Sequence, residues 1–336
     1  MGQDTNGPAL AAYAKPQLER SLWDIATSVV IYLALWVGMY FALEVSLWLT
    51  LALAIPAGAF LLRTFIVFHD CAHGSFLPSK RANRWCGRFC SLLVWQPFAN
   101  WRHDHAVHHG SAGDLDRRGT GDVPTLTVSE YFAMPWHKRL GYRLFRNPLV
   151  MFGIGPIYSL MVMPRLTSRD KRPRLRNSVL LTNLMIAGVV VGLGFALGWK
   201  EYLLIQMPAA IMAATAGVWL FYVQHQFEDV YWESSDQWSY DDAALQGSSY
   251  LKLPKVLQFF TGNIGLHHVH HLNARVPNYN LQRAHDENPV FHNVPVLSLL
   301  DGIRSIRLKL IDTQNGRLVT FAQARQLAAR GVAQPA

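Results

Sequence analysis

The sequence predicts an all-α integral membrane protein: four transmembrane helices in two hairpins, with a mostly helical cytoplasmic cap that carries a histidine-rich site. Three observations lead there. Residues 25–43, 47–67, 179–197 and 202–223 are apolar runs of about 20 residues, long enough to cross a bilayer as helix. They form two close pairs, joined at Glu44 to Ser46 and at Gly198 to Glu201, and these connections hold a single cation, Lys200. Nearly every other Lys and Arg falls on the far side of the runs, which marks that side, with both termini, as cytoplasmic. Eight of the 14 histidines lie on that same side in three short boxes.

Composition agrees with a multi-pass protein. The 336-residue chain is 51% hydrophobic, and within the four runs only Arg63 is charged, near an end where a long side chain can reach the headgroups. The net charge of +9 reads as positive-inside bias and contact with membrane lipid. No nucleic-acid role is expected, because no basic module with interleaved aromatics is present. The expected location is the bacterial inner membrane. Cys71, Cys86 and Cys90 fall on the cytoplasmic side without a C-x-x-C pair, so no disulfide is expected.

Along the chain, residues 1–20 lack an apolar signal core and read as a mobile cytoplasmic tail. Residues 21–321 read as one domain, and 322–336 as a C-terminal helix and tail. The second run continues directly into the first histidine box, with Pro56 and Gly58 as candidate kinks. Pro78 to Arg88 is polar and basic, and Cys90 to Phe98 is apolar but too short to cross, which predicts a helix lying at the interface. The Gly-, Asp- and Arg-rich stretch from Gly110 to Pro124 reads as an ordered loop over the site or a mobile flap. Leu149 to Met163 is short for a crossing and reads as an interfacial or re-entrant segment rather than a fifth span. Arg165 to Arg176 is a basic run that enforces topology. Beyond the last box, Asn278 to Asn288 and Val296 to Leu310 read as amphipathic helices. Gln314 to Gly316 is a turn between short β-prone runs, Ile306 to Asp312 and Arg317 to Phe321.

The boxes carry the chemistry. In Gly265 to Leu272, His267, His270 and His271 stand at i, i+3 and i+4 and share one helical face, while His268 points away. His105, His108 and His109 repeat that spacing, and His69 and His73 stand at i and i+4. One such box is explained by a solvated patch; three together point to metal. His225, just past the fourth run, is a ninth candidate ligand at the same depth. Glu228 is placed to accept its second ring N–H, and Asp70 and Asn263 are further supporting candidates, Asn263 through water or as a helix cap. Imidazole suits zinc, copper, iron or nickel, but one zinc needs about four ligands. The zinc-protease pattern H-E-x-x-H is absent. Two iron ions, Fe2+/Fe3+, with dioxygen as co-substrate, is the reading that uses every box.

The boxes H-x-x-x-H, H-x-x-H-H and H-x-x-H-H with four spans resemble the membrane fatty acid desaturase superfamily, over about Thr64 to Phe321. Phe68 to Phe76, Gln224 to Glu228, Gly262 to Leu272 and Pro277 to Gln282 are similar to the acyl-lipid omega-6 (Δ12) type. The resemblance implies a diiron centre held by His69, His73, His105, His108, His109, His267, His270 and His271, with His225 in addition. It also implies removal of two hydrogens from a long-chain acyl lipid to leave a cis double bond. In acyl-CoA members an asparagine stands four positions before the extra histidine; Phe221 stands there in this chain, which favours a lipid-linked substrate. A His-Pro-Gly-Gly haem signature is absent, so electrons are expected from an external donor such as ferredoxin or a b-type cytochrome, docked on the basic face. The rival readings are a diiron hydroxylase or ketolase acting on alkyl or carotenoid substrates, and a metal-ion transporter or sensor. The near absence of polar groups within the runs argues against transport. His103, His137, His268, His285 and His292 are expected to be structural or supporting residues.

Overall fold

The computed structural model describes residues 10–166 and 172–330. Among the described residues four helices are long and apolar enough to cross a membrane: Leu18–Val45, Leu47–His73, Pro173–Leu197 and Trp199–His225. Each outruns the apolar stretch that predicts it, because the helical turn continues into polar sequence. The second and fourth therefore end on His73 and His225, and the helix itself delivers these imidazoles to one end of the bundle. Pro56 sits inside the second helix without ending it. Gly58 serves a different need, close approach: a Cβ there would lie 2.9 Å from Met212 Cβ and 3.1 Å from the Ala209 carbonyl oxygen on the fourth helix. Buried Gln206 accepts from Trp36 Nε1 at 3.0 Å and from the Tyr32 hydroxyl at 3.3 Å, which ties the fourth helix to the first.

Arg63 does not snorkel. It is buried with Nη2 2.7 Å from Asp24 Oδ1, its other amino group donates to the Phe259 carbonyl, and its guanidinium lies 4.0 Å from the Phe259 ring centroid. Removing one partner of a buried pair leaves an uncompensated charge, a cost of about 3–5 kcal/mol. Asp24→Ala is expected to lower unfolding stability by that order in a denaturant titration; a loss under about 1 kcal/mol would show that the pair is not structural.

The amphipathic element is a single helix, Lys80–Leu93, rather than a polar stretch followed by an apolar helix. The Ser79 hydroxyl caps it by accepting from Ala82 N at 3.3 Å, and its outer face shows Trp85 and Phe89. Trp136–Phe145 and Val150–Arg165 meet at a 55° bend, in keeping with a segment that does not cross straight. Leu149, Ile154 and Tyr158 are exposed along it, while Thr215 Oγ1 holds the Phe152 carbonyl at 3.1 Å. Of the basic run before the third long helix, residues 167–171 lie outside the described residues.

Two further expectations fail for tertiary reasons. Residues 10–20 are docked rather than loose: Leu10 is 1% exposed, the Asn280 side chain donates to the Tyr13 carbonyl at 2.8 Å, and Gln17 N donates to the Tyr279 hydroxyl at 2.9 Å. Residues 1–9 of that segment, and 331–336 at the other end, lie outside the described residues. Val296 to Leu310 is not one helix, because two strand partners claim its ends. Five short strands, β1 (Leu126–Thr127), β2 (Tyr250–Leu251), β3 (Val296–Leu297), β4 (Leu310–Asp312) and β5 (Arg317–Val319), form sheets ordered β1-β4-β5 and β2-β3. Only Leu299–Ser305 between β3 and β4 is helical, opened by a capping box of Ser298 and Asp301. The β4–β5 hairpin forms at the expected turn, with Gly316 at φ +59°.

Behind β4, Arg146 is wholly buried and donates to the Pro124 and Leu308 carbonyls at 3.0 and 3.1 Å and to Gln226 Oε1 at 2.8 Å. Lys309 is buried nearby, and its Nζ has no partner among the described residues. Burial, reinforced by the Arg146 charge, pushes the Lys309 pKa down to about 8. The unfolded chain holds this proton up to about pH 10.4, so it binds more protons than the folded chain between those values and stability rises with pH there. Below about pH 8 the cost of the buried charge is present in full. Lys309→Met is expected to raise the melting temperature at pH 7 and to flatten the rise between pH 8 and 10; an unchanged profile would contradict this.

Candidate metal centre

Each histidine box is placed by the end of a helix. The second long helix closes on His73 because Gly74 adopts φ +72°, a conformation other residues avoid. The second box rides on Phe98–Ser111, where Trp101 stacks on His105 at 4.4 Å between centroids. The third forms the six-residue helix His267–Leu272, and His225 is the last residue of the fourth long helix.

All nine candidate ligands come together. His69, His73, His105 and His270 form one group and His108, His225, His267 and His271 another, with the ligand nitrogens of each group within 4.8 Å of one another. His109 lies between the two groups: its Nε2 is 3.1 Å from His105 Nε2, and its ring stacks on His271 at 4.2 Å. The three boxes and His225 are thus interleaved, and each group draws on at least three helices.

The donor set fits metal. Burial first, then neighbouring imidazoles, holds the pKa values of His105, His109, His267, His270 and His271 well below the ordinary histidine value, so these rings are neutral lone-pair donors at pH 7. His73 Nε2, His270 Nε2 and His271 Nε2 are buried with no partner among the described residues. Leaving such a nitrogen unsatisfied is costly, and a metal ion removes that cost. Nε2 atoms approach one another at 3.1 Å (His69 and His105), 3.2 Å (His108 and His225) and 2.9 Å (His225 and His267). Nitrogens sharing one ion at about 2.1 Å lie about 3 Å apart. Two groups of imidazoles suit two ions of the iron, copper or zinc kind.

The rings are held from behind. His69 Nδ1 is 2.9 Å from Asp70 Oδ1, and Asp70 Oδ2 accepts from Asn278 N at 2.7 Å and Asn278 Nδ2 at 3.0 Å. His108 Nδ1 is 2.6 Å from Asp122 Oδ1, and His225 Nδ1 is 3.2 Å from the Gly247 carbonyl. Such partners set the tautomer and turn Nε2 toward the metal. Asp70 is placed as expected. Glu228 is not: the helix ends at His225, so the expected helical relation is lost, and the Glu228 carboxylate is exposed 3.8 Å from Arg317. Asn263 neither caps the third box nor reaches a ligand. Its backbone turns at φ +58° and its side chain donates to the Asn278 carbonyl at 3.0 Å, so it braces the residue that holds Asp70.

Asp122 is the residue that sequence reasoning missed. Its signal is the preceding Gly121, at φ +75°, where a Cβ would lie 2.9 Å from His108 Cβ. The loop that follows the second box therefore lies against it. It is fastened there by Ser235 Oγ on Asp114 Oδ1 at 2.8 Å and by Trp238 Nε1 on the Ala112 carbonyl at 2.9 Å. His268 points away from the ligands, its Nε2 2.9 Å from His285 Nδ1.

Comparison with known proteins agrees with this geometry. Residues 46–296 match the fatty acid desaturase family. The chain is similar to a fatty acid desaturase of Bacillus subtilis (strain 168), 43% identical across 95% of this chain and 90% of that protein. It is also similar to the sn-1 acyl-lipid omega-3 desaturase (ferredoxin) of Synechocystis sp., 29% identical across 66% of this chain and 62% of that protein. To the sn-1 oleoyl-lipid 12-desaturase of Picosynechococcus sp. it is 26% identical, across 80% and 79% respectively.

Proposed function

Because the chain belongs to the fatty acid desaturase family, we propose that it places a cis double bond in a lipid-linked long-chain acyl group, with the nine histidines as ligands of two iron ions. The observation that carries this reading is the pair of four-histidine groups with His109 between them. When bound, the irons supply, with dioxygen and two electrons, the oxidising power that an unactivated C–H bond requires and no side chain has. Overall, the acyl CH2–CH2 unit, O2, two electrons and two protons give the alkene and two waters.

The chain's own residues do the rest. Neutral imidazoles donate lone pairs, and Asp70, Asp122 and the Gly247 carbonyl hold three of the rings in place. Phe221 lies 5.2 Å from His108 and 5.3 Å from His225 between ring centroids, an apolar wall in the position where acyl-CoA members carry an asparagine. That wall supports an acyl-lipid substrate, as do the relatives named acyl-lipid desaturases. Relatives named for ferredoxin support an external iron–sulfur donor. The one-sided Lys and Arg distribution supports a cytoplasmic active site in a bacterial inner membrane.

Expression in a host that lacks the product, followed by mass spectrometry of its lipids, tests the reading. New cis-unsaturated acyl chains are expected, and mass-spectrometric location of the bond would show its position. Hydroxylated or keto products with no new double bond would overturn desaturation.

A further inference from the structure

Beside the first histidine group a cleft of about 340 Å³ opens to the surface, with His73 in its wall. Lys80, Arg84, Arg102 and Arg275 line it, and among the described residues no carboxylate does. The four cations come from three separate places: the amphipathic helix Lys80–Leu93, the helix of the second box and the turn after the third. All four are exposed, and none forms an ion pair among the described residues. Elsewhere Arg118 is matched by Glu130, Arg283 by Glu287 and Arg304 by Asp301, while exposed arginines without an ion pair among the described residues, such as Arg81, Arg307 and Arg325, do not line this cleft. Unmatched cations gathered around one concavity repel one another and focus a positive field outward, which a partner with several carboxylates relieves.

We propose that this cleft is the docking site of the electron carrier, a small acidic iron–sulfur protein, and that its electrons reach the metal centre through His73. The inference rests on the desaturase reading, which requires two external electrons per double bond. At each docking a reduced [2Fe–2S] carrier loses one electron, its ferrous iron becoming ferric, and two dockings complete one turnover. A lipid headgroup fits the place less well. Its acyl chain fixes it several carbons from the bond that is oxidised, so it has no reason to sit against a metal ligand, whereas an electron has to arrive at one. His73 is partly exposed toward the cleft while its Nε2 is buried without a partner among the described residues, so one ring spans surface and centre.

The test measures binding of a plant-type [2Fe–2S] ferredoxin to the full chain in detergent, at low and high salt. Wild-type affinity is expected to fall with salt. Arg84→Glu and Arg102→Glu are each expected to raise the Kd about tenfold at low salt, while Arg325→Glu, on the exposed face of the C-terminal helix, leaves it unchanged. Melting temperature and iron content report folding, and Lys80→Glu at a helix start or Arg275→Glu in a turn replaces any variant that fails to fold. Cleft variants that all bind ferredoxin within twofold of wild type would overturn the proposal. So would variants that keep ferredoxin binding and lose only binding to phosphatidylglycerol vesicles, which would assign the cleft to a headgroup. Lipid products formed by the wild type with a chemical reductant, scored in parallel, report on the desaturase reading independently of docking.

Discussion

His271→Ala is expected to abolish double-bond formation and to lower the iron held per chain to one ion or fewer, whereas His268→Gln, three residues earlier, keeps its iron. The two histidines sit on one six-residue helix and are both buried, so burial does not distinguish them. Their surroundings do. The His271 ring lies 4.8 Å from that of His225, 4.6 Å from His267 and 4.2 Å from His109, and its Nε2 has no partner among the described residues. His268 is bonded to His285 and packs on Phe291 at 5.2 Å. Truncating His271 leaves three donors where four converge, together with a void that no neighbour fills. Metal analysis and lipid mass spectrometry on the same preparations check both variants. Full iron and turnover in His271→Ala would remove it from the ligand set.

Asp122→Asn is expected to cut activity or metal affinity about 10- to 100-fold with little change in melting temperature, and Asp70→Ala to lower both. The difference follows from what each carboxylate holds besides its histidine. Asp122 Oδ2 is buried with no partner among the described residues, so exchanging the acid for an amide acts through His108 alone. Asp70 accepts two bonds from buried Asn278, and truncation strands those donors at about 1–3 kcal/mol each. Iron titration read beside thermal unfolding separates the cases. Equal stability losses in the two variants would contradict the assignment of Asp122 to His108 alone.

The contrast between Asp70 and Asp122 also shows where sequence reasoning succeeds. A helix converts spacing into a shared face, so the boxes and the exclusion of His268 were legible from periodicity, and the four spans from the length of their apolar runs. Asp70 was legible because it sits in the first box. Asp122 lies in a loop, where spacing says nothing about direction, and only the close approach of Gly121 to His108 explains its position. Glu228 was misplaced because the helix stops at His225, a boundary that no capping residue announces. The Asp24 partner of Arg63, the docking of Leu10 and the strand pairing of β3 with β2 are contacts between distant segments. Such contacts override local propensity and leave no local trace.

Two metal ions sharing nine histidines are the central proposal for this protein, and an anomalous-scattering map of the active, iron-loaded protein at the iron absorption edge tests it most directly. It should show two peaks, one among His69, His73, His105 and His270 and the other among His108, His225, His267 and His271. A single peak, or iron seated away from these rings, would contradict it.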